Sequence, residues 1–162
     1  MGPRFWGPAA LFALCLSSVA GAHDHGAASA SDGLVVMPSA HSVDTTLDRL
    51  TSALEDKGLT VFTRIDHAAG AARAGLEMRP TQVLLFGNPA IGTPIMQCAP
   101  AAAVDFPQKA LVWEDAEGRV FLAYNDPQYL AARHQIEGCD AELQKMSDAL
   151  DNFTRAATDG GD

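Results

Sequence analysis

The chain has 162 residues, with 20 acidic and 11 strongly basic side chains and a formal charge of −9. That balance argues against a nucleic-acid surface, which sets cationic side chains against phosphates. Hydrophobic residues at 48% and charged residues at 19% make a globular composition of one-domain length, neither disordered nor fibrous.

The first 22 residues read as a signal peptide. Arg4 supplies the positive start, an apolar run follows from Pro8 to Val19, and Ala20 and Ala22 give the small-x-small pattern before a cleavage site. The run is shorter than the roughly 20 residues of a spanning helix, and no later stretch reaches that length, so no membrane span is expected after its removal. The protein is therefore expected to be exported, to the periplasm or beyond. Cleavage after Ala22 would expose His23-Asp24-His25, whose amine, amide and imidazole nitrogens suit Cu(II) in a square plane. The bland alternative is a solvated leader over residues 23–33 with incidental histidines. Export also permits a disulfide between Cys98 and Cys139. Two separate thiols, or a metal site using Met96, Cys98 and His134, are the alternatives at this stage.

A single domain is expected over residues 34–157, followed by a disordered tail, 158–162. Leu34 to Met37 is a short apolar strand. Ser42 caps a helix whose Val43, Leu47, Leu50 and Leu54 share a face, with Gly58 as its stop. Leu59 to Ile65 alternates as a strand, with Leu59, Val61, Thr63 and Ile65 on one face. Asp66 caps a short helix ending at Gly75. Val83 to Phe86 is a buried strand, broken by Gly87-Asn88-Pro89, and Thr93-Pro94 has the form of an N-cap with proline at the first helical position. Lys109–Glu114 and Arg119–Tyr124 form a hairpin around Gly118. Asn125-Asp126-Pro127 opens the last helical region, which Gly138 interrupts. Leu143, Met146, Leu150 and Phe153 then make an apolar stripe. The order, β-α-β-(short α)-β-β-β-α, predicts an α+β domain. Its mixed or antiparallel sheet has about five strands, with helices packed on one face.

Six segments together carry a resemblance. They are Arg64–His67, Gly75–Thr81, Leu85–Pro89, Gly92–Gln97, Trp113–Asp115 and Tyr124–Pro127. In this order the chain resembles the domain-of-unknown-function family number 302 from about Leu34 to His134. The resemblance implies a small domain with a TATA-binding-protein-like sheet-and-helix arrangement, often a homodimer. It implies no established activity, and a shared fold label carries no DNA binding with it.

Several residue sets could carry chemistry. Asp66 beside His67 could serve a general base in a hydrolase or lyase, or could be a helix cap beside an exposed imidazole. Asn88 and Thr93 frame a loop suited to a ligand, or to turn chemistry alone. Met96 is either a soft ligand or core filling. Trp113, Tyr124 and Tyr129 near Asn125 and Asp126 could line a small-molecule pocket, or pack in the core. No Gly-x-Ser-x-Gly elbow, His-Glu-x-x-His or Cys-x-x-Cys occurs. The sequence thus favours an exported binding or interaction module for a small ligand or metal ion. An enzyme using Asp66 and His67, and a dimer paired through the C-terminal stripe, are the alternatives.

Overall fold

The computed structural model describes residues 1–2 and 33–161. Residues 3–22 of the expected export signal, with His23 and His25, lie outside them. Five strands form one fully antiparallel sheet: β1 (Leu34–Ser39), β2 (Thr60–Asp66), β3 (Thr81–Gly87), β4 (Gln108–Glu114) and β5 (Val120–Asn125). Their spatial order is β1-β5-β4-β3-β2. The edges are therefore β1, which carries Pro38 opposite Phe121, and β2, which carries a bulge between Val61 and Thr63.

One face of the sheet is covered by α1 (Val43–Glu55) and α5 (Asp140–Thr158). Ser42 caps α1 by accepting from the Thr45 N–H at 3.2 Å. Gly58, at φ +73°, takes the left-handed turn that sends the chain into β2. The expected stripe of Val43, Leu47, Leu50 and Leu54 is buried, none above 4% exposed. It meets the inward row of the central strands, Leu84, Phe86, Ala110, Val112 and Leu122. Full burial of each large side chain contributes about 1.5–3 kcal/mol. Leu143, Met146 and Leu150 of α5 enter the same core. The C-terminal stripe is thus consumed inside the molecule and offers no docking face.

Two expectations on the elements are corrected. In β2, Val61 pairs with Phe86, but the bulge shifts the register so that Thr63 pairs with Leu85 and Ile65 with Val83. Val61 packs against the core, whereas Thr63 and Ile65 belong to the opposite face, because a bulge breaks simple alternation. Between β3 and β4 lies a full helix, α3 (Pro89–Cys98), followed by a 3-10 turn over Pro100–Asp105. Its cap is Asn88, whose Oδ1 accepts from the Ala90 N–H at 2.9 Å, so Thr93-Pro94 lies inside the helix rather than starting it. The last helical region is interrupted as expected: Gly138, at φ +74°, lies between α4 (Pro127–His134) and α5.

The β4–β5 hairpin is held by Asp115. Its Oδ1 accepts from the backbone N–H groups of Glu117 and Arg119, and its Oδ2 from Arg119 Nε at 2.7 Å. Desolvation pushes the Asp115 carboxyl up, but these donors outweigh it and hold the group below its ordinary value. On the β2 edge of the sheet, Arg64 donates to Gln82 Oε1 at 2.6 Å, Asp48 at 2.7 Å and Asp44 at 2.6 Å. Gln82 Nε2 also donates to Asp44, at 3.0 Å. This network ties α1 to β2 and β3. Because both aspartates are exposed, its worth is modest. Arg64→Met is expected to lower stability by about 1 kcal/mol. A urea midpoint that falls at constant m-value checks it.

Candidate functional site

The excursion between β3 and β4 builds a groove with an inner chamber beside it. Asn88 ends β3 and caps α3, which fixes the helix start against the sheet. Gly92 lies one turn on, where an added Cβ would stand 3.5 Å from the Phe106 ring and 3.9 Å from Met96 Cε. The missing side chain leaves a groove between α3 and Phe106. Phe62, displaced outward at the bulge of β2 and 56% exposed, forms the opposite lip. The groove measures ≈ 460 Å³. Its polar side chains are those of Asn88 and Thr93, and no charged residue lines it. Gly87, Asn88, Gly92 and Phe106 also line an inner chamber of ≈ 40 Å³, so groove and chamber adjoin. Phe86, Ile91, Met146, Leu150 and Phe153 wall that chamber, together with Gln108.

Three of the candidate ligand residues are therefore brought together: Asn88, Thr93 and Met96. His67, Tyr124 and Asn125 line a second hollow together, and the rest are dispersed. Asp66 caps α2 (His67–Arg73), its Oδ1 accepting from the Ala69 N–H at 2.8 Å. His67 is exposed in this separate hollow of ≈ 330 Å³, which Tyr124, Asn125, Lys109 and Leu111 also line. Lys109 is already engaged, since its Nζ donates to the carbonyls of Asp105 and Pro107. Asp126 caps α4 by accepting from the Gln128 N–H at 2.9 Å. Tyr124 is buried; burial, with Asp151 and Asp126 nearby, pushes its phenol above the ordinary value. Trp113 stacks on Phe121 at 5.5 Å between ring centroids. Asp66 and His67 thus share no cavity with Asn88.

The sulfur and imidazole set is also separated. Cys98 and Cys139 form a disulfide with Cα atoms 6.5 Å apart, joining the end of α3 to the start of α5. His134 Nε2 is hydrogen-bonded to the Asp105 carboxylate, which Arg133 also approaches. Met96 lines the groove. No group of three metal-ligating side chains occurs among the described residues.

Phe62, Phe106 and Gln108 escape the sequence reading. Only Gln108 leaves a trace in the sequence: it precedes Lys109-Ala110-Leu111-Val112 at the parity of the buried Ala110 and Val112, a polar residue at a core position.

No described helix is long and apolar enough to cross a membrane. Two curated relatives are named fluoride-specific ion channel FluC 1, from Brucella suis biovar 1 (strain 1330) and Brucella abortus biovar 1 (strain 9-941). Each is 46% identical over 126 residues, 77% of this chain, and 50% and 47% of the respective relatives. The chain thus spans about half the length of these curated relatives. Among solved structures, an uncharacterized conserved DUF302 protein from Bacillus stearothermophilus superposes with a TM-score of 0.71 at 15% identity. The superposition covers 78% of this chain and 99% of that one, and shows the fold. The profile of the domain of unknown function DUF302 matches residues 35–153. Sheet order, helix placement and sequence agree, and the chain belongs to the DUF302 family.

Proposed function

We propose that the protein is an exported, non-enzymatic module that binds a small apolar ligand in the groove between Phe62, α3 and Phe106. One observation carries the reading: an exposed aromatic residue stands over a preformed, uncharged groove of ≈ 460 Å³. That volume lies in the range of small-molecule sites, which are concave and apolar with a few placed polar groups. Export rests on the n-region, apolar run and Ala20-x-Ala22 pattern of the N-terminus. Gly92→Leu fills the groove from its floor. Titration with the uncharged fluorophore N-phenyl-1-naphthylamine is expected to show emission enhancement with the natural protein and about tenfold weaker binding by Gly92→Leu, both remaining folded by circular dichroism. Equal binding by the two proteins would overturn the site.

A second reading places the domain beside a membrane channel. It rests on the 46% identity to about half of proteins named as fluoride-specific ion channels. In this reading the domain corresponds to the part of those relatives that does not span the membrane. Loss of the chain from its host should then lower fluoride tolerance; unchanged growth in fluoride would set the reading aside.

The dimer suggested by the family resemblance would use the outer sheet face, where Leu34 and Ile65 are exposed on the side carrying Val83 and Leu111. Sedimentation showing only monomer at micromolar concentration would remove it.

A further inference from the structure

Two glutamines occupy inward-facing positions on the central strands, and they differ in one respect. Gln82 is fully engaged: Oε1 accepts from Arg64 and Nε2 donates to Asp44. Gln108, only 6% exposed, makes a single side-chain hydrogen bond, from Nε2 to Met146 Sδ at 3.1 Å. A thioether accepts and cannot donate, which fixes the nitrogen as the end turned to Met146. Gln108 Oε1 has no donor among the described residues. Gln108 lies in the wall of the inner chamber, whose other side chains are apolar apart from that of Asn88. The oxygen is not sealed off: the fully enclosed side-chain N or O atom without a partner among the described residues is Arg49 Nε, so Gln108 Oε1 stays open to a donor.

We infer that Gln108 is the polar anchor of the groove, and that the ligand is an uncharged apolar molecule with one hydrogen-bond donor, a hydroxyl or N–H, directed at Gln108 Oε1. The inference rests on the binding reading above and names its ligand class. The need for a donor follows from which amide atom is unpaired. The need for neutrality follows from the lining: a carboxylate would meet the oxygen with its own negative charge, and an ammonium would lose its hydration with no counter-charge among the lining residues. The apolar body would lie outward, between Phe106, Met96 and Phe62. The inner chamber is also large enough for an ordered water, so a water-satisfied amide is the competing outcome.

The test compares three probes of one shape: 4-ethylphenol, 4-ethyltoluene and 4-ethylbenzoate. Each is titrated into the natural protein, Gln108→Leu and Gly92→Leu, with binding followed by amide NMR shifts and stability by thermal melting. The natural protein is expected to prefer 4-ethylphenol to 4-ethyltoluene by about five- to tenfold, the worth of one hydrogen bond, and to bind the carboxylate weakest. Gln108→Leu should erase the preference without lowering Tm, because it removes an unpaired polar group and keeps the volume. Should Gln108→Leu not fold, Gln108→Met, unbranched like glutamine, serves in its place. Gly92→Leu should weaken both neutral probes. Equal affinity of the natural protein for 4-ethylphenol and 4-ethyltoluene would overturn the anchor while leaving the groove standing, as expected if water alone satisfies Gln108. A preference that survives Gln108→Leu would also overturn it. Failure of every probe to bind the natural protein would overturn the groove and the anchor together.

Discussion

Replacing both Cys98 and Cys139 by alanine is expected to lower stability by about 4 kcal/mol. The bond closes a sequence separation of 41 residues, and in the chain-entropy picture a loop of that size restricts the unfolded chain by this amount. For a domain of this length the corresponding fall in Tm is roughly 15 °C. Differential scanning calorimetry of the double variant, beside the natural protein with and without dithiothreitol, checks it. The reduced natural protein should melt close to the variant. A melting point that reduction leaves unchanged would show that the bond contributes nothing to the ordered state. The bond has a local consequence as well. Its Cys98 end closes α3, which carries Gly92, Thr93 and Met96, so the groove wall is covalently tied to α5. Loss of the bond should therefore weaken probe binding at temperatures where the domain is still folded.

Phe86→Ala is expected to cost about 4 kcal/mol, at the upper end of large-to-small core replacements. Phe86 is 1% exposed, sits on a central strand opposite Gln108, and packs in the layer between sheet and helices. Removing its ring joins the adjoining inner chamber to a new void. The cost is the lost transfer energy plus a cavity term, because neighbouring side chains collapse only in part. Urea unfolding measures it. A loss below 1 kcal/mol would mean that the core repacks freely around the chamber.

Much of the fold was legible because its signals are local. The stripe Val43, Leu47, Leu50 and Leu54 needs only the period of a helix, and all four residues are buried. The hairpin around Gly118 needs only two strands and a turn. What failed depended on partners. The bulge in β2 exists because β3 sets the register on its other side, and no alternation within Leu59–Ile65 reports it. The start of α3 was a contest between two proline-containing turns, and the winner was the one whose asparagine accepts from a backbone N–H. The groove followed the same division. Asn88, Thr93 and Met96 lie in one segment and could be named together. Phe62, Phe106 and Gln108 come from the bulge, the end of the excursion and the next strand, and only tertiary packing makes them neighbours. Trp113, Asn125 and Asp126 are close in sequence or pairing, yet alternation and capping send their side chains to different surfaces, while Tyr124 and Asn125 line one hollow with His67.

The two outer strands bear on how the molecule behaves at high concentration. At one boundary of the sheet, Pro38 provides no amide for a sixth strand; at the other, the bulge at Phe62 puts the backbone out of step with any straight template. Both edges thus resist templating by a second copy, whether copies are crowded into one compartment or fused in tandem.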